Sequence, residues 1–304
     1  MVNWFIYFLY FLFALIFSFF LVYILGNRET LNIDNLRTQE LYSYFDGKNG
    51  KTAFYSLGND NDEPLILIHG VSVPSYYYKN VATHLTEIGY KVYLYDHFGR
   101  GFSDRPIIKY DMPLYEGQLN DFINYLSLEK VTLLGVSMGG AIAANFTAKN
   151  KNKVKSLILN VPFVGVQTIT PSLFSSIPLV QDFYLRFFVI KSFISRGSRL
   201  TDYSQDPYHF INQFNVKGTQ YSFNSLFKSF LQHDFLSDYK FINQNKTAVH
   251  FTYATDDEDV PVQSVLNAIN LIPSARSYSF DGGHNIINTR TEEIISLIED
   301  FKSN

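Results

Sequence analysis

The chain has 304 residues, a formal net charge of −3 and no cysteine. This length fits one large domain or two small ones, and the nearly neutral charge offers no basic surface for nucleic acid. Because cysteine is missing, a disulfide framework, a thiolate zinc site and a cysteine nucleophile are excluded. The hydrophobic share of 46% is enough to build a sizeable core.

Residues 4–25 form an apolar segment that contains no charged side chain. About 20 apolar residues span the hydrocarbon core of a bilayer as a helix. A cleaved signal peptide is one alternative, but no Lys or Arg precedes the segment and no small-x-small cleavage site follows Leu25. A buried globular helix would carry a polar stripe, and this segment has none. We therefore predict a retained single-pass anchor over residues 1–25, with the membrane as a partner.

Two basic residues, Arg28 and Arg37, follow this anchor and none precedes it, which favours a cytoplasmic catalytic domain. The polar residues 26–38 are predicted to form a linker, and residues 39–304 a single domain. In that domain short apolar stretches alternate with stretches of helical period. The predicted strands are Leu41–Phe45, Thr52–Leu57, Leu65–Ile68, Lys91–Tyr95, Val131–Leu134, Val154–Val161, Val249–Ala254 and Arg276–Phe280.

Helical stretches separate most of these strands, and they are Tyr76–Glu87, Leu114–Leu126, Met138–Lys149, Val262–Leu271 and Glu292–Lys302. Short, nearly continuous apolar strands alternating with helices indicate a mostly parallel sheet covered on both faces. From Pro162 to about Tyr239 the chain contains no convincing strand. We therefore predict an α/β fold with a largely helical insertion over about 162–239.

The strongest catalytic signal is Gly135-Val136-Ser137-Met138-Gly139-Gly140, between a predicted strand and a predicted helix. A nucleophile on a sharp strand-to-helix turn needs small neighbours two residues away, and Gly135 and Gly139 supply them. The turn also places Ser137 at the positive end of a helix, with the N–H of Met138 free to bind an oxyanion. A glycine-rich structural turn is the alternative. We predict that Ser137 is a nucleophile.

A serine hydroxyl needs a base that accepts its proton and a third group that orients the base. His284 lies in a glycine-containing loop just after a predicted strand, where catalytic groups gather in open α/β sheets. The acid is expected in the cluster that follows the strand Val249–Ala254. We favour Asp257 there and leave Asp256 and Asp259 open.

Two further loops follow predicted strands. In His69-Gly70-Val71, the N–H of Val71 is a candidate second oxyanion donor, with a plain tight turn as the alternative. His69 itself is expected to be a structural hydrogen-bonding residue. The loop from Asp96 to Asp104 contains two glycines and is also interpreted as structural.

Together these motifs resemble the α/β-hydrolase superfamily, in its branch of esterases, lipases and C–C bond hydrolases. The resemblance rests on His69-Gly, Asp96-x-x-Gly-x-Gly-x-Ser, Gly-x-Ser137-Met-Gly-Gly, Asp257-x-x-Val-Pro and Gly-Gly-His284, and it covers about residues 40–302. It implies the chain order Ser, Asp, His for the triad and makes the insertion a cap over the active site. It also implies hydrolysis of a small-molecule ester, which could be a lipid such as an acylglycerol, without a metal or organic cofactor.

Other functions are left open at this stage. The same triad would serve a C–C bond or amide hydrolase, and a non-catalytic membrane-anchored binding protein is the alternative from another class. The insertion also contains an apolar stripe at roughly helical spacing, which either packs on the catalytic domain or enters the bilayer surface. Its members are Phe174, Ile177, Leu179, Val180, Phe183, Tyr184, Phe187, Phe188 and Ile190.

Overall fold

A computed structural model describes residues 2–26, 28–37, 42–165, 178–198 and 207–303, and its centre is an eight-stranded sheet. The strands are β1 Ser43–Gly47, β2 Gly50–Leu57, β3 Glu63–Ile68, β4 Tyr90–Tyr95, β5 Val131–Val136, β6 Val154–Asn160, β7 Ala248–Ala254 and β8 Arg276–Phe280. Their order across the sheet is β1-β2-β4-β3-β5-β6-β7-β8. Only the pairings of β1 with β2 and of β2 with β4 are antiparallel, which confirms the mostly parallel α/β prediction.

Helices cover both faces of this sheet. The helices are α1 Val2–Leu25, α2 Lys79–Glu87, α3 Met112–Tyr125, α4 Met138–Lys149, α5 Pro178–Tyr184, α6 Ile190–Ser198, α7 Pro207–Asn212, α8 Thr219–Ser229, α9 Phe235–Asn245, α10 Val262–Asn270, α11 Ile286–Thr289 and α12 Thr291–Lys302. One core cluster joins the sheet to α3, α4, α9 and α10, and a second joins it to α2, α11 and α12. Because apolar layers bury both faces, the central strands are apolar at nearly every position.

Local sequence signals set the element boundaries. Asp111 precedes α3, and its Oδ1 accepts the N–H of Leu114 at 3.2 Å, while Pro113 occupies the first turn. A side-chain acceptor and a proline are the usual signals for the start of a helix. The strand β5 is buried along its whole length and ends immediately before Ser137. The parallel strands therefore carry the candidate site loops to one edge of the sheet.

The described residues of the predicted insertion are largely helical, and they include α5 to α8. A single π-helical turn, Leu185–Val189, joins α5 to α6. These helices share their own apolar cluster, which contains Leu185, Ile190, Phe210, Phe214 and Phe223. In contrast, α9 packs in the main core through Tyr239 and Ile242. Of the predicted apolar stripe, Phe174, Ile177 and the side chain of Leu179 lie outside the described residues.

The residues after α1 pack on the insertion. Leu31 forms a parallel bridge with Val216, in which Leu31 N–H donates to Asn215 and Lys217 N–H donates to Leu31. Leu36 is buried in a small cluster with Tyr42 and Phe102. The segment predicted as a linker, of which residues 27 and 38 are not described, thus contacts both the insertion and the loop after β4.

The helix α1 is the one element, among the described residues, that is long and apolar enough to cross a membrane. Its span Trp4–Leu25 has a mean hydropathy of 2.6, and none of its most apolar window is buried. It is therefore not a core helix of this domain. A signal sequence would satisfy the same criteria of length and composition.

Candidate active site

Ser137 lies on the sharp turn between β5 and α4. Its backbone has φ 55° and ψ −121°, a conformation that non-glycine residues rarely adopt. Strain of this kind costs about 1–3 kcal/mol and persists only where the surrounding structure imposes it. Here the carbonyl oxygen of Ser137 accepts the N–H groups of Gly140 and Phe163, both at 2.9 Å. The serine is thus held at the carboxyl edge of the sheet.

Two glycines make this turn sterically feasible. A Cβ atom on Gly135 would come within 2.5 Å of the carbonyl oxygen of Gly139. A Cβ atom on Gly139 would overlap the carbonyl oxygen of Ile68 and lie 2.6 Å from that of His69. All these obstacles are backbone atoms, so they cannot rotate away. The close approach of α4 to β5 and β3 therefore requires glycine at both positions.

His284 and Asp257 meet at the same edge of the sheet. Nδ1 of His284 lies 2.8 Å from Oδ2 of Asp257. Because the carboxylate accepts, Nδ1 carries the proton of the neutral imidazole and Nε2 remains as the acceptor. Oδ1 of Asp257 accepts the N–H groups of Asp259 and Val260, at 2.9 Å each. The Asp257 side chain is 3% exposed and that of His284 is 25% exposed, so the acid is shielded while the ring reaches solvent.

The two alternative acids make other contacts. Oδ2 of Asp256 accepts the N–H of Gly282 at 3.3 Å and the hydroxyl of Thr255 at 3.2 Å. Asp259 forms an ion pair with Arg196 of α6 at 2.6 Å. The structure thus brings Asp257, and neither neighbour, to the imidazole of His284.

The two candidate oxyanion donors are Met138, which follows the serine in the chain, and Val71, which lines the same cavity as the serine. Met138 is the first residue of α4, and among the described residues no acceptor binds its N–H. The same holds for the N–H of Val71, in the loop after β3, and Val71 lines the same cavity as Ser137. Gly70 approaches the serine so closely that an added Cβ would lie 3.4 Å from Ser137 Cβ. Both N–H groups are therefore free to bind a developing charge.

A pair of buried histidines holds the loop after β3. Nε2 of His69 accepts the N–H of His97 at 2.9 Å, so its Nδ1 donates to the Gly70 carbonyl at 2.7 Å. Nε2 of His97 in turn contacts the His69 carbonyl at 3.0 Å. Burial lowers the pKa of His97 to about 3 and that of His69 well below its usual range. Both rings are thus neutral, and the structural role predicted for His69 is confirmed.

The loop after β4 also has a structural role, as predicted. Asp96 is buried, and its carboxylate accepts the N–H groups of Ser75 and Phe102 at 2.8 Å each. Burial raises the pKa of Asp96, and the donors from Phe102 and Ser75 oppose that rise. Gly101 is required here because a Cβ atom would overlap the Asp96 carboxylate. The carboxylate thereby joins the loop after β4 to the one after β3.

Arg100 is a supporting residue that the sequence analysis did not identify. It is completely buried, and its Nε donates to the Val71 carbonyl at 2.5 Å. Its Nη1 donates to Ser222 Oγ of α8 at 2.7 Å, and its guanidinium lies 3.6 Å from the centre of the Phe223 ring. Arg100 therefore links the loop that contains Val71, the candidate oxyanion donor, to the insertion. No local pattern reveals this role, because Ser222 is 122 residues away.

A cavity of about 610 Å³ opens above Ser137. Its size is typical of a site for a small organic molecule. The insertion and the sheet loops share its walls, which are mainly apolar and include Val71, Val73, Phe163, Phe193, Phe210, Phe227 and Val260. The polar lining residues include Ser137, His284, Arg196 and Asp259. In the described part of the chain, no cluster of three His, Asp or Glu side chains could hold a metal ion.

This fold and site place the chain in a known family. The sequence model of the alpha/beta hydrolase fold matches residues 63–290, and the chain belongs to that family. Among curated relatives, the AB hydrolase superfamily protein YfhM of Bacillus subtilis is 31% identical over 132 residues, which are 42% of this chain and 46% of the relative. The first curated relatives are matched over less than half of their own length.

Solved structures show the same fold at low sequence identity. An enol-lactonase from Burkholderia xenovorans LB400 has a TM-score of 0.71 at 15% identity, over 86% of this chain and 100% of that one. An esterase from Exiguobacterium antarcticum has a TM-score of 0.70 at 19% identity, over 86% of this chain and 99% of that one. These likenesses confirm the predicted α/β-hydrolase architecture.

Proposed function

We propose that the protein is a serine hydrolase that cleaves a carboxylic ester through an acyl-enzyme. The observation that carries this proposal is the convergence of Ser137 and His284 on one apolar cavity, with Asp257 bound to the far side of the imidazole. The strained turn at Ser137 supports it, because such strain is typical of functional positions. The enol-lactonase and the esterase, named for cleaving ester bonds, point in the same direction.

In the proposed reaction, Ser137 Oγ attacks the ester carbonyl and its proton passes to His284 Nε2. The N–H groups of Met138 and Val71 bind the oxyanion that forms. The C–O bond to the alcohol then breaks, and the leaving oxygen takes the proton from His284. Water repeats the sequence on the acyl-enzyme and releases the acid. Asp257 holds the ring in the required tautomer throughout.

The same groups would serve an amide or C–C bond hydrolase, and the fold alone does not choose among these reactions. The cavity favours an ester with an apolar acyl group, since aromatic and branched aliphatic side chains form most of its wall. We further propose that α1 is a retained membrane anchor and that the catalytic domain is cytoplasmic. The basic residues after α1 support that orientation.

The direct test is the variant Ser137→Ala with a fluorophosphonate probe and a p-nitrophenyl ester. We expect loss of labelling and a fall in kcat/KM of several orders of magnitude, because the nucleophile is removed. A matched control is Ser127→Ala, since Ser127 also has a positive φ, 54°, but is exposed and outside the cavity. The control should react as the unaltered protein does.

Continued ester turnover by folded Ser137→Ala would exclude the acyl-enzyme mechanism. Absence of labelling in the unaltered, folded protein would instead favour the non-catalytic binding protein. Probe labelling combined with turnover of amides or vinylogous diketones, and none of esters, would favour the other hydrolase classes.

A further inference from the structure

The C-terminal third of α1 lies directly against helix α5 and the π-helical turn of the insertion. The rings of Phe19 and Phe183 stack with their centres 4.8 Å apart. Tyr23 donates its hydroxyl proton to Asp182 Oδ2 at 2.7 Å. A Cβ atom on Gly26 would come within 2.7 Å of Cε1 of Phe187, so the α1 terminus and that ring are in close contact. The apolar helix is thus docked on the insertion.

Arg186 reinforces this contact. Its guanidinium lies 4.1 Å from the centre of the Tyr23 ring, and its Nη1 donates to the Tyr23 carbonyl at 2.5 Å. That carbonyl is one of the last of α1, where a cation is also favoured by the helix dipole. Asp182 and Arg186 are four residues apart, as are Phe183 and Phe187, so one face of the insertion meets α1.

The length of α1 gives the depth of this contact in a bilayer. Its 24 residues extend for about 36 Å, which exceeds the hydrocarbon thickness of about 30 Å. Phe19 is six residues before Leu25, or about 9 Å along the axis. If α1 is centred in the membrane, each of its ends extends about 3 Å beyond the hydrocarbon, so Phe19 and therefore Phe183 lie about 6 Å inside the hydrocarbon boundary.

Beside this contact, two aromatic side chains of the insertion are exposed. Tyr184 is 59% exposed and Phe188 is 57% exposed, and their stacked ring centres are 5.5 Å apart. They are the sequence neighbours of Phe183 and Phe187, which face α1. Exposed aromatic rings beside an apolar helix of membrane-spanning length are typical of a helix lying in the membrane interface.

We infer that residues 178–190 lie in the membrane interface beside α1, with Tyr184 and Phe188 inserted among the lipids. The occupant of this face is the bilayer into which α1 itself is inserted, because the face continues the surface of α1. On the next two helical turns, Phe193, Arg196 and Gly197 line the cavity above Ser137. Phe193 is six residues beyond Phe187, about 9 Å along the helix.

This placement indicates the class of substrate, and this part of the inference rests on the proposed ester hydrolase function. Phe193 in the cavity wall is about 9 Å along the helix from Phe187, so the cavity above Ser137 lies beside the segment that we place in the membrane interface. An ester of a membrane-resident lipid, such as an acylglycerol, fits this geometry. A cavity beside the membrane would not favour the binding of a water-soluble short-chain ester.

The insertion of Phe188 can be measured in the full-length protein by tryptophan fluorescence. The chain has a single tryptophan, Trp4, so Trp4→Phe gives a silent background. In that background, Phe188→Trp is compared with Phe241→Trp, because Phe241 on α9 is similarly exposed, at 53%. Both proteins are reconstituted in phosphatidylcholine vesicles whose acyl chains carry bromine either near the headgroup or near the bilayer centre.

We expect bromine near the headgroup to reduce the Phe188→Trp emission by at least about twofold, and bromine at the bilayer centre to reduce it less. The Phe241→Trp emission should be unaffected. Equal quenching of both variants, or none of either, would overturn the inference. A blue-shifted Phe188→Trp emission that depends on protein density and not on bromine would also overturn it, since a second copy of the chain would then cover this face.

Hydrolysis by the same preparations separates this inference from the proposed function. Turnover of a soluble p-nitrophenyl ester reports on Ser137 whether or not Phe188 contacts lipid. Phe188→Asp with Tyr184→Asp should reduce kcat/KM on a vesicle-embedded acylglycerol by about tenfold or more, with soluble-ester turnover unchanged. A variant whose kcat/KM equals that of the unaltered protein on both substrates would refute the role of the membrane contact while leaving the esterase function intact.

Discussion

Replacing Gly139 by alanine should slow the proposed ester hydrolysis, because it displaces the loop after β3 that contains Val71, the candidate oxyanion donor. The added methyl group would overlap the Ile68 carbonyl oxygen and lie 2.6 Å from that of His69, whereas real Cβ atoms keep at least 3.0 Å from such atoms. Since both obstacles are backbone atoms, either α4 or the end of β3 must shift by about 1 Å. Val71, two residues beyond His69, would move with it.

A displacement of about 1 Å in a catalytic group costs on the order of 10²-fold in rate. Loss of one oxyanion donor costs about 10²–10³-fold. We therefore expect kcat/KM of Gly139→Ala to fall at least about 10²-fold. Overpacking in a dense interior costs roughly 1–3 kcal/mol in the free energy of unfolding. For a domain of this size, that corresponds to a fall in Tm on the order of 5 °C.

Gly117→Ala provides the matched control. Gly117 also lies inside a helix, α3, but a Cβ atom there would meet no atom within 4 Å. Because glycine is less favourable than alanine in a helix interior, this variant should gain about 0.5–1 kcal/mol in the free energy of unfolding. Its ester turnover should equal that of the unaltered protein.

Thermal unfolding and p-nitrophenyl ester kinetics, both in detergent, measure the two effects. The reasoning would be refuted by a Gly139→Ala protein that keeps both the Tm and the kcat/KM of the unaltered chain. A loss of Tm without a loss of kcat/KM in the surviving folded protein would show that the loop after β3 does not move with α4.

Two further predictions concern the aspartates in the loop after β7 and the pH dependence of stability. Asp257→Asn should lower kcat by about 10⁴-fold, because asparagine favours the wrong tautomer of His284. Asp256→Asn and Asp259→Asn should lower kcat far less. If either of these two variants showed the largest loss, the assignment of Asp257 would be wrong. Among the described residues, neither ring nitrogen of the buried His250 has a hydrogen-bond partner, and burial, followed by the charge of Arg276, lowers its pKa to about 4. Below its unfolded pKa of about 6.5, His250 takes up a proton in the unfolded chain but not in the folded one. The free energy of unfolding is therefore unaffected by His250 above pH 6.5 and falls by up to about 1.4 kcal/mol per pH unit as the pH goes from 6.5 toward 4. His250→Leu should flatten the denaturation free energy between pH 6.5 and 4, and an unchanged slope would place the acid-sensitive group elsewhere.

Much of the scaffold follows from short-range patterns in the sequence. The apolar run Val131–Leu134 and the glycines around Ser137 predict a strand, a turn and a helix, and the structure has them with one or two residues of difference at the ends. The side chains that form a strand or a tight turn are neighbours in the chain, so their pattern carries the necessary information. The loop containing His284 is placed at the carboxyl edge of the sheet for the same reason.

The long-range contacts that shape the site could not be predicted from the sequence. Three aspartates stand in the acid loop, and only the tertiary structure decides that Asp257 meets His284, 27 residues away. The link from Arg100 to Ser222 spans 122 residues, and that from Tyr23 to Asp182 spans 159. Contacts of this range depend on how whole helices pack, and packing is set by the combined shape of many side chains. The sequence therefore predicted a sheet with a nucleophile and an apolar N-terminal helix, and the tertiary structure decided that this helix docks on the insertion whose next helix lines the cavity.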